Sequence, residues 1–317
     1  MTDEFFQFVV AESFDDAAVA RLKKLGNVVH LEHCDSATLA GAVSDCDALL
    51  VRSAARVTGD VLASAKRLRV IGRGGAGLDN IDLVAARRHG VTVVYTPAAS
   101  TDAVADLTVG LMLSLIRGVC SGDAAVRAGR FSQARQACVG RELSECSIGI
   151  VGLGRIGRAV ARRCRHGFDC DIFFNDIVKP DGLDFSATFL EKQELYSASD
   201  IVTLHVPLTT STHHLIDDGA LKQFKPGAFL VNTARGEVVK ASALIEALQS
   251  GYLAGAALDV FEHEPILADD PILMASRTLL TPHIGARTIG GLNRMNLVVD
   301  DVVRVLRGER PRFAAPG

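Results

Sequence analysis

Three side chains able to handle protons and anions sit in short, distinctive contexts in the second half of the sequence. Arg235 lies in Val231-Asn232-Thr233-Ala234-Arg235-Gly236, Glu264 in Asp259-Val260-Phe261-Glu262-His263-Glu264-Pro265, and His283 in Leu280-Thr281-Pro282-His283-Ile284-Gly285. Arg235 and His283 each follow a strand-like run, and open parallel sheets bind ligands just beyond their strands' carboxyl ends. Imidazole changes charge near neutral pH without a large environmental shift, which suits His283 to move a proton between a carbonyl and an alcohol. A guanidinium at Arg235 can grip a planar carboxylate through paired hydrogen bonds and polarise the neighbouring carbonyl. Glu264 could stabilise an imidazolium at His283 and fix its ring, raising the imidazole pKa at about 1.36 kcal/mol per unit. Spacing alone leaves blander assignments open: Arg235 in a loop ion pair, His283 as a satisfied structural residue, Glu264 as a surface acid beside Glu262. The nine histidines, His205, His213, His214 and His263 among them, show that histidine content by itself proves nothing.

Upstream, Gly152-Leu153-Gly154-Arg155-Ile156-Gly157 follows the strand-like Ile148-Gly149-Ile150-Val151 and leads into a segment with Ile156, Val160 and Ala161 at helical spacing. A strand, a glycine turn and a helix in this order cradle a pyrophosphate: the turn tightens at Gly152, the backbone approaches at Gly154, and the helix packs through Gly157. The helix's first amides lack intrahelical partners and can donate to phosphate. About 20 residues further on, Asp176 ends Ile172-Phe173-Phe174-Asn175 and can accept from both ribose hydroxyls while repelling a 2′-phosphate, favouring NAD over NADP. Asp176 as a loop cap ahead of Lys179-Pro180 is the competing reading. The glycine motif alone is weak, and its strand, helix and acid strengthen it. Joined to the proton-handling set, it points to hydride transfer between a nicotinamide cofactor and a small oxo or hydroxy acid.

These groups need scaffolds. At 317 residues the chain suits two domains, each with its own core and with a cleft between them. Strand runs near Gln7-Glu12, Val28-Glu32, Ala48-Arg52, Arg69-Gly72 and Val91-Tyr95 alternate with amphipathic segments and predict a doubly wound parallel sheet. A second alternation runs through Cys146-Val151, Ile172-Phe174, Ile201-His205, Phe229-Asn232, Ala256-Val260 and Thr278-Thr281. The fold class is therefore α/β, with two doubly wound parallel-sheet domains. Val104, Leu107, Leu111 and Leu115 give Asp102–Arg117 the spacing of a long helix, and Leu292–Leu306 reads as a last helix crossing back to the first domain. The expected division is a discontinuous substrate domain, 1–100 plus 290–317, and an NAD-binding domain, 101–289.

With 48% hydrophobic and 22% charged residues the composition is that of a soluble globular protein. Leu107–Ile116, bounded by Asp106 and Arg117, is about half the ~20 residues of a helical membrane span. A net charge of −3 gives no electrostatic reason to expect nucleic acid, and Arg162-Arg163-Cys164-Arg165 reads as a solvated helix face. Met1-Thr2-Asp3-Glu4-Phe5 lacks the pattern of a secretory signal, so a cytoplasmic location is expected. Seven dispersed cysteines without a C-x-x-C pair predict reduced thiols and no structural zinc.

At these motifs the chain resembles the D-isomer-specific 2-hydroxyacid dehydrogenase family, and within it the phosphoglycerate dehydrogenases without a C-terminal regulatory domain. The resemblance covers nearly the whole chain, including Val51-Arg52-Ser53, Gly72-Arg73-Gly74-Gly75-Ala76-Gly77-Leu78-Asp79-Asn80, Gly152–Gly157, Asn232–Gly236, Asp259–Pro265 and Thr281–Gly285. It implies a flavodoxin-like substrate domain beside a Rossmann-type NAD domain. It assigns the 2-oxo acid to Arg235, the proton to His283 and the tuning of that proton to Glu264. It gives the nicotinamide carboxamide to Asp259 and lines the NAD site with Arg155, Ile156, Asp176, Val206, Thr233, Ala234, Gly285 and Ala286. Amides of Gly74, Gly75, Ala76 and Gly77 would meet substrate, with Arg52, Ser53 and Arg73 nearby for a distal anion, and a homodimer would form through the NAD domain. Where phosphoglycerate enzymes usually have Asn-Thr-Pro and a later asparagine, this chain has Tyr95-Thr96-Pro97 and Ser100, and Ala76 replaces their loop threonine. The substrate thus stays open among 3-phosphoglycerate, hydroxypyruvate and glyoxylate. A different class stays open too, an NADH-sensing protein like the family's transcriptional corepressors, because such relatives can keep the same reactive residues.

Overall fold

The structure, a computed structural model, describes residues 5–180 and 182–316. The sequence reading at Met1–Glu4 lies outside the described residues. Two compact units are formed, residues 1–100 with 287–317 and residues 101–286.

In the first unit the order is β1 (Phe6–Val10), α1 (Asp16–Lys23), β2 (Gly26–His30), α2 (Ser36–Ala42), β3 (Ala48–Val51), α3 (Gly59–Ser64), β4 (Val70–Arg73), α4 (Leu83–Arg88) and β5 (Thr92–Tyr95). The strands pair in parallel in the order β2-β1-β3-β4-β5, the flavodoxin-like arrangement. Side chains alternate across such a sheet. Leu49 and Val51 of β3 accordingly join a core with Leu39, Leu62 and Ile71, while Ala48 and Leu50 join Phe8, Leu22 and the returning chain on the other face. Asp15, Asp35, Thr58 and Asp82 each accept a hydrogen bond from a first-turn amide of α1 to α4, which fixes where those helices start.

The second unit runs α5 (Thr101–Arg117), α6 (Val119–Arg127), α7 (Phe131–Ala137), β6 (Ile148–Val151), α8 (Arg155–Phe168), β7 (Ile172–Asn175), β8 (Thr188–Phe189), α9 (Lys192–Ala198), β9 (Ile201–Leu204), α10 (Asp218–Leu221), β10 (Phe229–Asn232), α11 (Ala241–Gln249), β11 (Gly255–Leu258) and β12 (Thr278–Leu280). All seven strands are parallel, ordered β8-β7-β6-β9-β10-β11-β12, which is a Rossmann sheet extended by one strand. Its order reverses between β6 and β9, and that switch point is where the fold opens a crevice for ligands. Strands β6, β9 and β11 are buried throughout because helices cover both faces, and they read as continuous apolar runs for that reason.

Several boundaries differ from expectation. The run read as Val28–Glu32 pairs as Gly26–His30, and β8 is too short for its two residues to show a period. The last helix is two, α12 (Ile289–Asn296) and α13 (Val298–Leu306), meeting at Leu297. α13 packs on the first unit's sheet, where a Cβ at Gly72 would sit 2.5 Å from Val302. The arginine run lies in the C-terminal half of α8, where Cys164 is buried while Arg162 pairs with Asp184, Arg163 with Asp102 and Asp106, and Arg165 with Asp169. Among the described residues no single helix is long and apolar enough to cross a membrane.

Candidate active site

In the second unit the carboxyl ends of five neighbouring strands carry almost every candidate residue: Gly152 after β6, Asp176 after β7, Val206 after β9, Thr233 to Arg235 after β10, Asp259 after β11. His283 follows β12, the adjoining edge strand.

The glycine turn is built for close backbone approach. Gly152 has φ of 93°, and a Cβ there would lie 2.7 Å from the His205 carbonyl oxygen. A Cβ at Gly157 would lie 2.1 Å from the Gly152 carbonyl oxygen, so α8 can press on the turn only without one. Gly154 is the N-cap of α8 and offers no side-chain cap. The amides of Arg155, Ile156 and Gly157 make no hydrogen bond among the described residues, while Ile156 packs into the core beside Val160. Open amides at a positive helix end, with open space beside Gly154, fit a dinucleotide pyrophosphate.

Asp176 is half-buried. One of its oxygens accepts the Leu153 amide at 2.6 Å and the other the Val178 amide at 3.0 Å. It therefore caps its own loop and also braces the glycine turn, leaving acceptor sites for ribose hydroxyls.

Asn232, at the end of β10, turns the chain: its Oδ1 accepts the Ala234 amide at 3.0 Å and its Nδ2 donates to the Arg235 carbonyl at 2.8 Å. Thr233 is fixed by its hydroxyl, 3.0 Å from that of Thr108 on α5. The Arg235 guanidinium donates to the Ala234 carbonyl at 2.7 Å and lies close enough to Glu264 to favour its ionised form.

His283 adopts φ of 52°, the left-handed region, where a non-glycine residue persists only if its surroundings hold it. Asp259 does the holding. Its carboxylate, 1% exposed, accepts the Thr281 hydroxyl at 2.6 Å and the Ile284 and Gly285 amides at 2.8 Å each, and its carbonyl accepts the His283 amide at 2.8 Å. The carboxamide role implied for Asp259 by resemblance is thus joined by a role in the histidine turn, with one of its roughly four acceptor sites left over. Ala286 closes this stretch, half-buried.

The ring of His283 places Nδ1 2.7 Å from Glu264 Oε2, and Glu264 Oε1 accepts the Phe261 amide at 3.1 Å. Burial pushes the Glu264 carboxyl up, but the hydrogen bond and charge of His283, the Phe261 amide and Arg235 outweigh it and hold Glu264 below the usual glutamate range. With Nδ1–H committed to the carboxylate, Nε2 is the nitrogen able to exchange a proton.

The sequence reading passed over two residues here. Asn232 could have been found as an Asx turn at a strand end. His205 follows β9 beside Gly152, its Nε2 3.0 Å from Thr203 and its Nδ1 buried with no partner among the described residues. Burial drives its pKa down to about 3, so the ring is neutral next to the cofactor turn.

In the first unit the loop after β4 is partly committed. The Gly74 amide donates to Val51 and the Gly75 amide to Thr96 Oγ1 at 2.8 Å, whereas the Ala76 and Gly77 amides make no hydrogen bond among the described residues. Arg73 is buried, its guanidinium donating to the Gly74 carbonyl at 3.3 Å. Arg52 uses three donors within the unit, on Ser13, Met295 and Asn296, and stacks 4.9 Å over Phe14. Ser53 is exposed beside it.

A family model described as D-isomer specific 2-hydroxyacid dehydrogenase, NAD binding domain, matches residues 109–285. The chain is 40% identical over 275 residues to a glyoxylate reductase of Thermofilum pendens, covering 85% of this chain and 81% of that one. It is 38% identical to D-3-phosphoglycerate dehydrogenase of Rattus norvegicus over 89% of this chain, and it spans about half, 53%, of that relative's length. The crystal structure of D-lactate dehydrogenase from Aquifex aeolicus, complexed with NAD and lactic acid, superposes with a TM-score of 0.87 at 29% identity over 96% of each chain.

Proposed function

The chain belongs to the D-isomer-specific 2-hydroxyacid dehydrogenase family, and from that premise we propose that it reduces a small unphosphorylated 2-oxo acid, glyoxylate or hydroxypyruvate, to the corresponding 2-hydroxy acid with NADH, of D configuration where the product is chiral. The observation that carries the reading is the 2.7 Å pair between His283 Nδ1 and Glu264. NADH supplies the hydride that the carbonyl carbon accepts. Arg235 grips the substrate carboxylate and polarises the carbonyl, and His283 gives its Nε2 proton to the carbonyl oxygen. Glu264, 2.7 Å from Nδ1, holds the imidazole oriented for that transfer. Gly152, Gly154, Gly157 and the α8 amides hold the pyrophosphate, Asp176 the ribose, and Ile156, Val206, Thr233, Ala234, Asp259, Gly285 and Ala286 the nicotinamide half. From the first unit the Ala76 and Gly77 amides are assigned to substrate. The internal commitments of Arg52 and the burial of Arg73 count against a distal phosphate, and so against 3-phosphoglycerate.

A homodimer through the second unit belongs to the same proposal. α6 buries no residue and α7 only Ala134, while Val126, Phe131 and Val139 stand exposed on that arm. The same unit carries an apolar groove between α5 and α8, lined by Val109, Gly110, Leu113 and Phe168 with arginines at its rim. An arm and a groove on one unit suit an isologous pair, each copy's arm lying in the other's groove. A reducing cytoplasm is the location that seven unpaired cysteines favour.

An NADH-oxidation screen over glyoxylate, hydroxypyruvate, phosphohydroxypyruvate and pyruvate tests the function. The expected result is turnover of the first two, reduced by about a hundredfold or more in His283→Ala with NADH affinity kept within about twofold. Preference for the phosphorylated acid would overturn the substrate assignment. NADH-dependent peptide binding without turnover would point to a sensor instead.

A further inference from the structure

We propose that His214 is a positioning residue that clips the segment carrying Arg235 to the segment carrying Glu264, so that the two keep their spacing as one body. The proposal rests on the catalytic reading above. It starts from a second histidine held in the left-handed region: His214 has φ of 50°. Its amide donates to the Glu237 carbonyl at 2.8 Å, and its Nε2 lies 2.7 Å from Glu262 Oε1. One residue therefore binds the chain two positions after Arg235 and the acid two positions before Glu264.

Around it the three segments are laced together. The Ile216 amide donates to Val238 at 3.0 Å, and Ile216 accepts the Lys240 amide at 3.0 Å, so the His214 loop runs beside the stretch that follows Arg235. Gly236 touches the Glu264 loop directly, since a Cβ there would lie 1.9 Å from the Phe261 carbonyl carbon and 2.4 Å from the Glu262 nitrogen. Phe261 packs that loop on the core, beside a cavity of about 50 Å³ lined by Gly236, Leu244, Phe261, Glu262, His263 and Ile272. Directional contacts add to this, and the His214–Glu262 pair is one. His213 lies against the His214 ring, centroids 4.0 Å apart, and limits its rotation. The pairing also allots each acid its own imidazole, Glu262 to His214 and Glu264 to His283, so Glu262 is not a rival partner for the proton donor.

The test compares His214→Gly, Glu262→Ala, the double variant and His214→Gln with the parent. Glycine suits φ of 50°, so any loss in His214→Gly belongs to the side chain. The readouts are the NMR resonances of the His283 ring, KM and kcat for the accepted 2-oxo acid, NADH affinity and melting temperature. Both single variants should move the His283 ring resonances and raise KM by about tenfold with NADH affinity unchanged, since small misplacements are costly at a reacting centre. The double variant should look like either single one, and His214→Gln, which keeps a donor for Glu262, should recover most of the loss. A lower melting temperature with the His283 ring resonances and KM unmoved would overturn the proposal, as would effects that simply add. Should His214→Gly fail to fold, Glu262→Ala carries the same readouts. Absence of turnover in the parent would sink the catalytic reading, and the His283 ring resonances would still decide the clip.

Discussion

Nδ1 of His283 faces one carboxylate oxygen while the other is held by the Phe261 amide, so Glu264 can neither rotate away nor pair elsewhere without losing a bond. Replacing Glu264 with Gln keeps the shape of that pair but removes its charge, and should lower kcat for the accepted 2-oxo acid by about tenfold or more with NADH affinity kept. Steady-state kinetics measures this, and an unchanged kcat would remove Glu264 from its role. On the acid side, Glu264 is held below the usual value of about 4.3, so the pair stays intact above that range and is lost as pH falls through it.

Among elements, the amino ends of β6 and β9 are joined by one buried acid. Asp200 accepts from the Ser147 amide and hydroxyl, from Arg141 at 2.9 Å and from Lys225 at 2.8 Å. Burial pushes its carboxyl up, but the two cations and Ser147 prevail and hold it well below the usual aspartate range. A depressed carboxylate contributes stability above its unfolded value of about 3.9 and loses it as pH falls. Asp200→Asn should destabilise by about 2 kcal/mol at pH 7, and the gap should narrow steadily below pH ~4. Urea unfolding at several pH values reads both, and a gap independent of pH would refute the charge-based account. β6 and β9 flank the switch point, so this tie sits at the opposite end of the strands that carry the cofactor turn.

For the whole molecule, the exposed arm of α6 and α7 is the feature that a lone chain leaves without a purpose. Phe131, at the start of α7, is 59% exposed and Val139, just after it, 86%, on an arm whose two helices bury almost nothing. Such surface on a monomer is an association signal. Phe131→Glu should convert a dimer to a monomer in sedimentation velocity while leaving circular dichroism unchanged. A parent that sediments as a monomer at micromolar concentration would end the dimer proposal.

Local physics made the glycine turn, the acid after β7 and most strands legible in sequence. Ile148–Val151 or Ile201–Leu204 can be stable only inside a covered sheet, and glycines between strand and helix have few other uses. Periodicity did not reveal α6, α7 or β8, because two of these bury too little and the third is too short to show a pattern. Nor could it pair Glu262 with His214 and Glu264 with His283, or commit Asp259 to the turn that holds a left-handed histidine. Those choices join residues 19 to 48 positions apart, and alternation along a strand or helix carries no information about which of two neighbouring acids a distant imidazole will meet. Only folding, by bringing the strand ends together, decides it.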